Sequence, residues 1–348
     1  MKIQKISILI LLTLMFTFTL SGCEQNLSTP AQPTSTDLVV MTPLESSTPA
    51  QPVETEIPEN PKRIFIHLTN SDLYYPDQTA LTLLSATISE MGYEVLTGNE
   101  TPESDQLFDF VLLFSPSPET FTHFQSDNIG RLLIVEEDSE AQPAKPATIF
   151  KMSIADRTFI AGYLSAVISD DWRVGGLLPV VDYHGTEADK VFQNGVEFMC
   201  GRCSPIYGPI VNFPVTSDLS SPADNERTLQ AFGEISPNKI DVVYIPSAYL
   251  FNDLVILLNQ SGVTIVSDVV PGQDRTEWVD YAIIDNLSAL ILEAISEPEQ
   301  QELLQTLPVE YTVISITNEL TPGKSDFVNT MINNLQAGFI SPYQITTE

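Results

Sequence analysis

Phe159-Ile160-Ala161-Gly162-Tyr163-Leu164-Ser165-Ala166, then Arg173-Val174-Gly175-Gly176-Leu177, then Phe192-Gln193-Asn194-Gly195: the middle of the chain reads as helix, strand, helix. The first block lies in an apolar helix over 155–169, the second in a strand over 173–181, and the third in an amphipathic helix over 187–199. On the amino side, apolar runs predict buried strands at 63–68, 93–96, 108–114, 131–135 and 148–152. Between them, helical spacing over 78–91, ended by Gly92, and over 119–127 predicts helices. On the carboxyl side, an extended segment runs from Cys203 to Val215. Helices are predicted over 222–235, 249–260, 285–295 and 325–336, the last ended by Gly338. Strands are predicted at 240–245, 263–266, 278–284 and 312–316. Strand–helix alternation with buried strands predicts an α/β fold of parallel sheets flanked by helices. Two successive series predict two lobes with a cleft between them. Ligands in such folds sit outside the carboxyl ends of the strands, which selects the loops 70–75, 115–117, 182–185, 246–251 and 268–272.

The same central stretch resembles the basic membrane protein family of lipoproteins, whose studied members bind nucleosides for ABC transporters. That family carries an AGYLAA helix, a VGF-GG strand and an F-x-x-G helix in this order, matched here by the blocks quoted above. The carboxyl-terminal run Met331-Ile332-Asn333-Asn334-Leu335-Gln336-Ala337-Gly338-Phe339-Ile340 is similar to the family's last helix and its G-x-I end. The similarity is spread over most of residues 62–341. It implies a two-lobed type I periplasmic-binding-protein fold with a three-stranded hinge, a nucleoside-like ligand and an ABC permease as partner. The strand-end loops depart from the family pattern. Thr69-Asn70-Ser71-Asp72-Leu73-Tyr74-Tyr75 replaces the family's Asp/Ser/Phe-rich loop, and Pro246-Ser247-Ala248-Tyr249 stands where a Gly-rich loop is usual. Asp268 falls on the acidic position of a V-D-x-D loop whose pairing Val269 breaks.

The first residues carry a different message. Lys2 and Lys5 precede an apolar run over 6–20, and Leu20-Ser21-Gly22-Cys23 follows. This is the pattern of a signal peptide over 1–22, with an apolar run shorter than a spanning helix needs. Leu-Ser-Gly-Cys resembles the bacterial lipobox, which implies cleavage before Cys23 and acyl chains on it. Those chains would hold the protein on the outer face of a cell membrane. Residues 23–61 are rich in Ser, Thr, Pro, Gln and Glu and read as a tether without enough apolar surface to fold. Beyond it the expected divisions are lobe 1 over 62–169 and lobe 2 over 170–265. Residues 266–348 would supply hinge crossings and complete both lobes.

The formal net charge is −31, which opposes nucleic-acid binding, a task for Lys and Arg. With Cys23 lipidated, two of the three cysteines remain, in Cys200-Gly201-Arg202-Cys203. Outside the cytoplasm a disulfide is their default state, with a redox pair and half a zinc site as rivals. The three histidines, His67, His123 and His184, form no ligand-like cluster, so neither metal nor cofactor is expected. The helix preceding the pair places it at a helix carboxyl end, unlike redox pairs that open a helix.

A nucleoside needs aromatic faces and carboxylate or amide acceptors. Tyr74, Tyr75, Tyr183 and Tyr249 offer faces, and Asn70, Asp72, Asp182 and Asp268 offer acceptors. No G-x-S-x-G, H-E-x-x-H or P-loop pattern is present, and the chain is expected to be no enzyme. The expectation is a membrane-anchored solute-binding lipoprotein that delivers a small neutral ligand to an ABC permease. The alternatives are a binding or sensing lipoprotein of the same fold with an altered pocket and no transporter, and an extracytoplasmic redox protein using Cys200 and Cys203.

Overall fold

A computed structural model describes residues 62–68, 78–102, 106–125, 128–136, 143–180, 182–183, 186–208, 211–268, 276–296 and 303–343. Cys23, the expected signal peptide and the expected tether lie outside the described residues. The first series runs β1 (Arg63–His67), α1 (Gln78–Glu90), β2 (Glu94–Gly98), β3 (Phe108–Phe114), α2 (Pro118–His123), β4 (Ile129–Glu136) and β5 (Ala147–Lys151). The second runs α3 (Ile154–Ile168), β6 (Val174–Pro179), β7 (Asp182–Tyr183), β8 (Thr186–Glu187), α4 (Ala188–Cys200), β9 (Val215–Leu219), α5 (Asn225–Ile235), β10 (Val242–Tyr244), α6 (Asn252–Gln260) and β11 (Thr264–Ser267). The chain then forms β12 (Tyr281–Asp285), α7 (Leu287–Ser296), β13 (Leu304–Pro308), β14 (Tyr311–Ser315) and α8 (Pro322–Gln336).

Two six-stranded sheets result, ordered β2-β1-β3-β4-β5-β13 and β9-β6-β10-β11-β12-β14. Every pairing in the first is parallel, and in the second only β12 with β14 is antiparallel. The central strands of sheet 1, β1, β3, β4 and β5, are apolar on both sides because both faces are covered. Ile64, Ile66, Phe110, Leu112, Leu133 and Phe150 pack under α1 and α7. Phe65, Val111, Leu113, Leu132 and Ile134, one residue out of phase, pack with Phe124 on the opposite face. This is the period-two alternation of a strand with both faces buried.

The lobe boundary differs from the sequence expectation. Residues 155–169 were expected to end lobe 1, yet α3 packs wholly into the core of lobe 2, with Phe159, Ile160, Leu164 and Val167 against Val174, Val191 and Tyr244. Met152 belongs to the core of lobe 1 and Ala155 to that of lobe 2, so the chain changes lobes at Ser153, whose hydroxyl caps α3 by accepting from Asp156 N. The physical reason is that α3 is buried on all sides from Arg157 to Val167. An amphipathic helix declares the sheet it covers, and an apolar one does not.

The central glycines are explained by the contact between α3 and α4. A Cβ on Gly162 would overlap the Phe192 carbonyl oxygen, and one on Gly195 would overlap that of Phe159. The helices therefore touch backbone to backbone. Phe192 beneath them stacks on Tyr244 at 5.8 Å between centroids. α4 ends at Gly201, whose φ of +65° a side chain would resist. Just there Cys200 and Cys203 are joined by a disulfide, with their Cα atoms 5.4 Å apart.

Three connections join the lobes: β5 into α3, β12 into α7, and β13 into β14. They are tied side by side. Val309 N donates to Lys151 O at 2.8 Å, and Asn286 N donates to Glu310 O at 3.2 Å. Glu310 N returns a bond to Asn286 Oδ1 at 2.9 Å, and Tyr311 OH donates to Ser153 O at 2.6 Å. The result is a hinge of three crossings.

Candidate ligand-binding cleft

Read from the amino side, each sheet has the order 2-1-3-4-5. The chain reverses direction across the sheet between β1 and β3 in lobe 1 and between β6 and β10 in lobe 2. In open α/β sheets such switch points, at the carboxyl ends of the strands, are where crevices form. The loops that follow these four strands are therefore the candidate site.

In lobe 1, the loop after β1 holds Asn70, Asp72, Tyr74 and Tyr75, which lie outside the described residues. The loop after β3 begins at Ser115, whose φ of +41° is uncommon for a residue with a side chain. Its N–H donates to Val135 O at 2.8 Å. Ser117 then caps α2 by accepting from Thr120 N at 3.1 Å, with Pro118 in the first helical turn. His67, the last residue of β1, was not among the expected site residues. It is 5% exposed, edge-on to Phe124 at 5.4 Å, and hydrogen-bonded to the Asn99 backbone. Burial holds its pKa below the usual value, against the opposing effect of that bond. Among the described residues neither His67 Nδ1 nor Glu136 Oε1, at the end of β4, has a hydrogen-bond partner.

In lobe 2, β6 ends at Pro179, and the chain passes through exposed Val180 into the small β7–β8 pair. Asp182 pairs with Glu187 and Tyr183 with Thr186 in its backbone, which leads directly into the amino end of α4. Beyond β10 a single 3-10 turn, Ser247–Tyr249, turns the chain toward α6. Tyr249 is 2% exposed and belongs to the core of lobe 2, so in this structure its ring is packed inward and offers no open face to a ligand.

Asp268 is placed differently from a free acceptor. Its Oδ2 lies 3.1 Å from Arg157 Nη1, with both side chains 5% exposed, and its Oδ1 accepts from Ser247 N at 2.6 Å. The carboxylate thus joins the end of β11, the turn after β10 and the first turn of α3. Burial pushes the Arg157 guanidinium toward neutrality, but Asp268, with Tyr244, Tyr311 and Asp285, outweighs it and holds the group above its usual pKa. Arg157 was missed from the sequence. The available signal was one arginine in the first turn of an otherwise apolar helix, which demands a buried partner. Ser267 Oγ, beside this pair, is fully buried without a hydrogen-bond partner among the described residues.

Among the described residues no cluster of His, Cys, Asp and Glu could hold a metal ion, and no helix is long and apolar enough to cross a membrane. No family model matches the sequence, and no curated protein matches it. Solved structures do match. A transcriptional activator of the comK gene from Bacillus halodurans aligns over 81% of this chain and 100% of its own, with TM-score 0.56 and 11% identity. An ABC transporter solute-binding protein from Conexibacter woesei aligns over 81% and 98%, with TM-score 0.52 and 11% identity. One from Aeropyrum pernix aligns over 81% and 93%, with TM-score 0.52 and 10% identity. At such identities the likeness concerns the fold alone, and that fold is the two-lobed α/β architecture of type I periplasmic binding proteins.

Proposed function

We propose that the chain is an extracytoplasmic binding lipoprotein, anchored through an acylated Cys23 and a tether over 23–61. Its two lobes close over a small neutral ligand for delivery to an ABC permease. A nucleoside is the first candidate ligand, and the protein performs no chemistry of its own. The observation that carries the reading is the pair of sheets of equal strand order joined by three hydrogen-bonded crossings, a construction that permits hinge closure around a ligand. The nucleoside and the permease rest on the resemblance of the central stretch. Lipidation rests on the Leu20–Cys23 pattern.

The test is thermal unfolding of the purified protein against panels of nucleosides, sugars and amino acids. A ligand present at about a hundred times its Kd stabilises the folded state by roughly 2.7 kcal/mol, which reads as a rise of several degrees. No rise with any compound would count against a solute carrier.

A second reading is a sensing lipoprotein of the same fold with an altered pocket and no transporter. What favours it is specific: Asp268 is engaged by Arg157 and Ser247, and Tyr249 is packed inward. One neighbour of this fold is described as a transcriptional activator, a reminder that the fold serves several roles. Loss of the nucleoside response together with an unaltered phenotype on deleting a neighbouring permease would support this alternative.

A further inference from the structure

The crossings between the lobes are short enough to name residue by residue. Met152 and Ser153 stand between β5 and α3, Asn286 between β12 and α7, and Val309 and Glu310 between β13 and β14. Met152 and Val309 are fixed in lobe 1. Both are buried in its core, where Met152 N donates to Glu136 O at 3.0 Å and Val309 N to Lys151 O at 2.8 Å. That leaves one residue in each crossing: Ser153, Asn286 and Glu310.

We propose that Ser153, Asn286 and Glu310 are the pivot about which the lobes turn, and that the Tyr311 hydroxyl is the clamp that holds the pivot in line. Asn286 and Glu310 are tied to each other by their reciprocal bonds. Ser153 is joined to the third crossing by the 2.6 Å bond that its carbonyl accepts from Tyr311 OH. Tyr311 thereby reaches all three crossings. It follows Glu310 in the third, its backbone stands opposite Asp285 at the start of the second, and its hydroxyl holds Ser153 in the first. The Tyr311 ring is 4% exposed and packed in the core of lobe 2, so the hydroxyl is delivered from a fixed position. A tyrosine hydroxyl taken out of water needs a partner, and here it has a backbone carbonyl at the point where the chain changes lobes. The same carbonyl accepts from Arg157 N at 3.4 Å in the first turn of α3. The clamp therefore meets the hinge beside the Arg157–Asp268 pair, which ties that turn to β11.

The consequence is a narrow hinge. With Ser153 held, the three pivot residues turn together. Without the hydroxyl, the first crossing loses this tie to the third, and the lobes sample a wider range of angles. A binder spread over more angles keeps a smaller fraction in the gripping one, and its apparent affinity falls by that fraction. Tyr311 is thus a positioning residue, and its role does not depend on which ligand the cleft takes.

The test needs no ligand. Nitroxide labels are placed one on each lobe, at Leu83→Cys in α1 and Ile256→Cys in α6, positions 49% and 45% exposed. The purified protein carries Cys23→Ser, and Cys200 and Cys203 stay in their disulfide. Pulsed electron resonance then gives the distribution of distances between the lobes. Tyr311→Phe keeps the ring and removes the hydroxyl. It should raise the population outside the main distance peak about fivefold, the factor that one hydrogen bond is worth. Asn286→Ala, which removes the acceptor of Glu310 N, should broaden the distribution in the same way. Tyr93→Phe removes the hydroxyl of another buried tyrosine, bonded to Ile295 O at 3.4 Å away from the crossings, and should leave the distribution unchanged. All three variants should lower the unfolding midpoint by less than about 8 °C. The clamp is overturned if Tyr311→Phe lowers the midpoint without changing the distribution, if it changes neither, or if Tyr93→Phe broadens the distribution as much.

Discussion

Replacing Asp268 by alanine should destabilise the protein by about 4 kcal/mol. Removal leaves the Arg157 guanidinium, in a pair whose side chains are 5% exposed, without its nearest carboxylate at 3.1 Å. Breaking a buried pair from one side costs about 3–5 kcal/mol, because the surviving charge is not resolvated. Two corrections act in opposite directions. Asp285 continues to favour the charged guanidinium, which pulls the cost toward the lower end of that range. Ser247 N loses the acceptor it reaches at 2.6 Å, and an orphaned buried donor adds about 1–3 kcal/mol. The assay is urea unfolding at pH 7, read as a shift of the midpoint at constant slope. High salt should not shrink the difference, since a buried pair is poorly screened. The double variant Arg157→Met with Asp268→Ala should recover most of the loss, leaving chiefly the Ser247 donor unsatisfied. A single-variant cost below about 1 kcal/mol, or a double variant worse than Asp268→Ala, would refute the account of Asp268 as a strut.

The remaining predictions concern packing, protonation and the disulfide. Gly162→Ala and Gly195→Ala each drive a methyl into a facing helix backbone, and each should cost about 3 kcal/mol in urea unfolding, whereas Gly233→Ala, with open space around it, should be neutral or better. His67 has a depressed pKa in the folded state, so below about pH 6.5 the unfolded chain binds the extra proton first and stability falls with falling pH. Replacing His67 with leucine should flatten that part of the pH profile while leaving the profile above neutrality unchanged. Reducing the Cys200–Cys203 bond releases only a short loop and should cost about 2 kcal/mol, measured by unfolding with and without reductant and checked by mass spectrometry.

The strands most plainly legible in the sequence were those buried on both sides, although the half-exposed edge strands β2 and β14 were also expected. β1, β3 and β4 are continuous apolar runs, and such runs have few alternatives. β9 and β13 escaped because they lie toward sheet edges and carry polar residues. Leu304–Pro308 reads LQTLP, alternating between exposed and half-buried positions, and nothing in it demands a sheet until β5 is beside it. The sheet that α3 would cover was invisible for the opposite reason, since a helix apolar all round points nowhere. The site was legible only as a set of loops. Strand order places them at the switch points, but whether a loop carboxylate faces the ligand or the interior depends on a partner elsewhere in the chain. For Asp268 that partner is Arg157, 111 positions away, and loop composition alone could not name it.

That partnership also limits which groups can respond to a ligand. α3, β10, β11 and β14 all belong to lobe 2, and they bring Arg157, Tyr244, Asp268 and Tyr311 with them. The ion pair lies wholly within lobe 2, so the proposed opening or closing of the lobes would neither make nor break it. What lies between the lobes is the set of three crossings, where bonds such as Val309 N to Lys151 O and the reciprocal pair of Asn286 and Glu310 run beside one another. A ligand can bias closure only by its different contacts in the two states. Those contacts must come from groups that change neighbours on closure, which points to the loops after β1, β3 and β6 and away from the strut. Substitutions in these loops should alter ligand affinity with little effect on unfolding, and substitutions at Arg157 or Asp268 should alter both together.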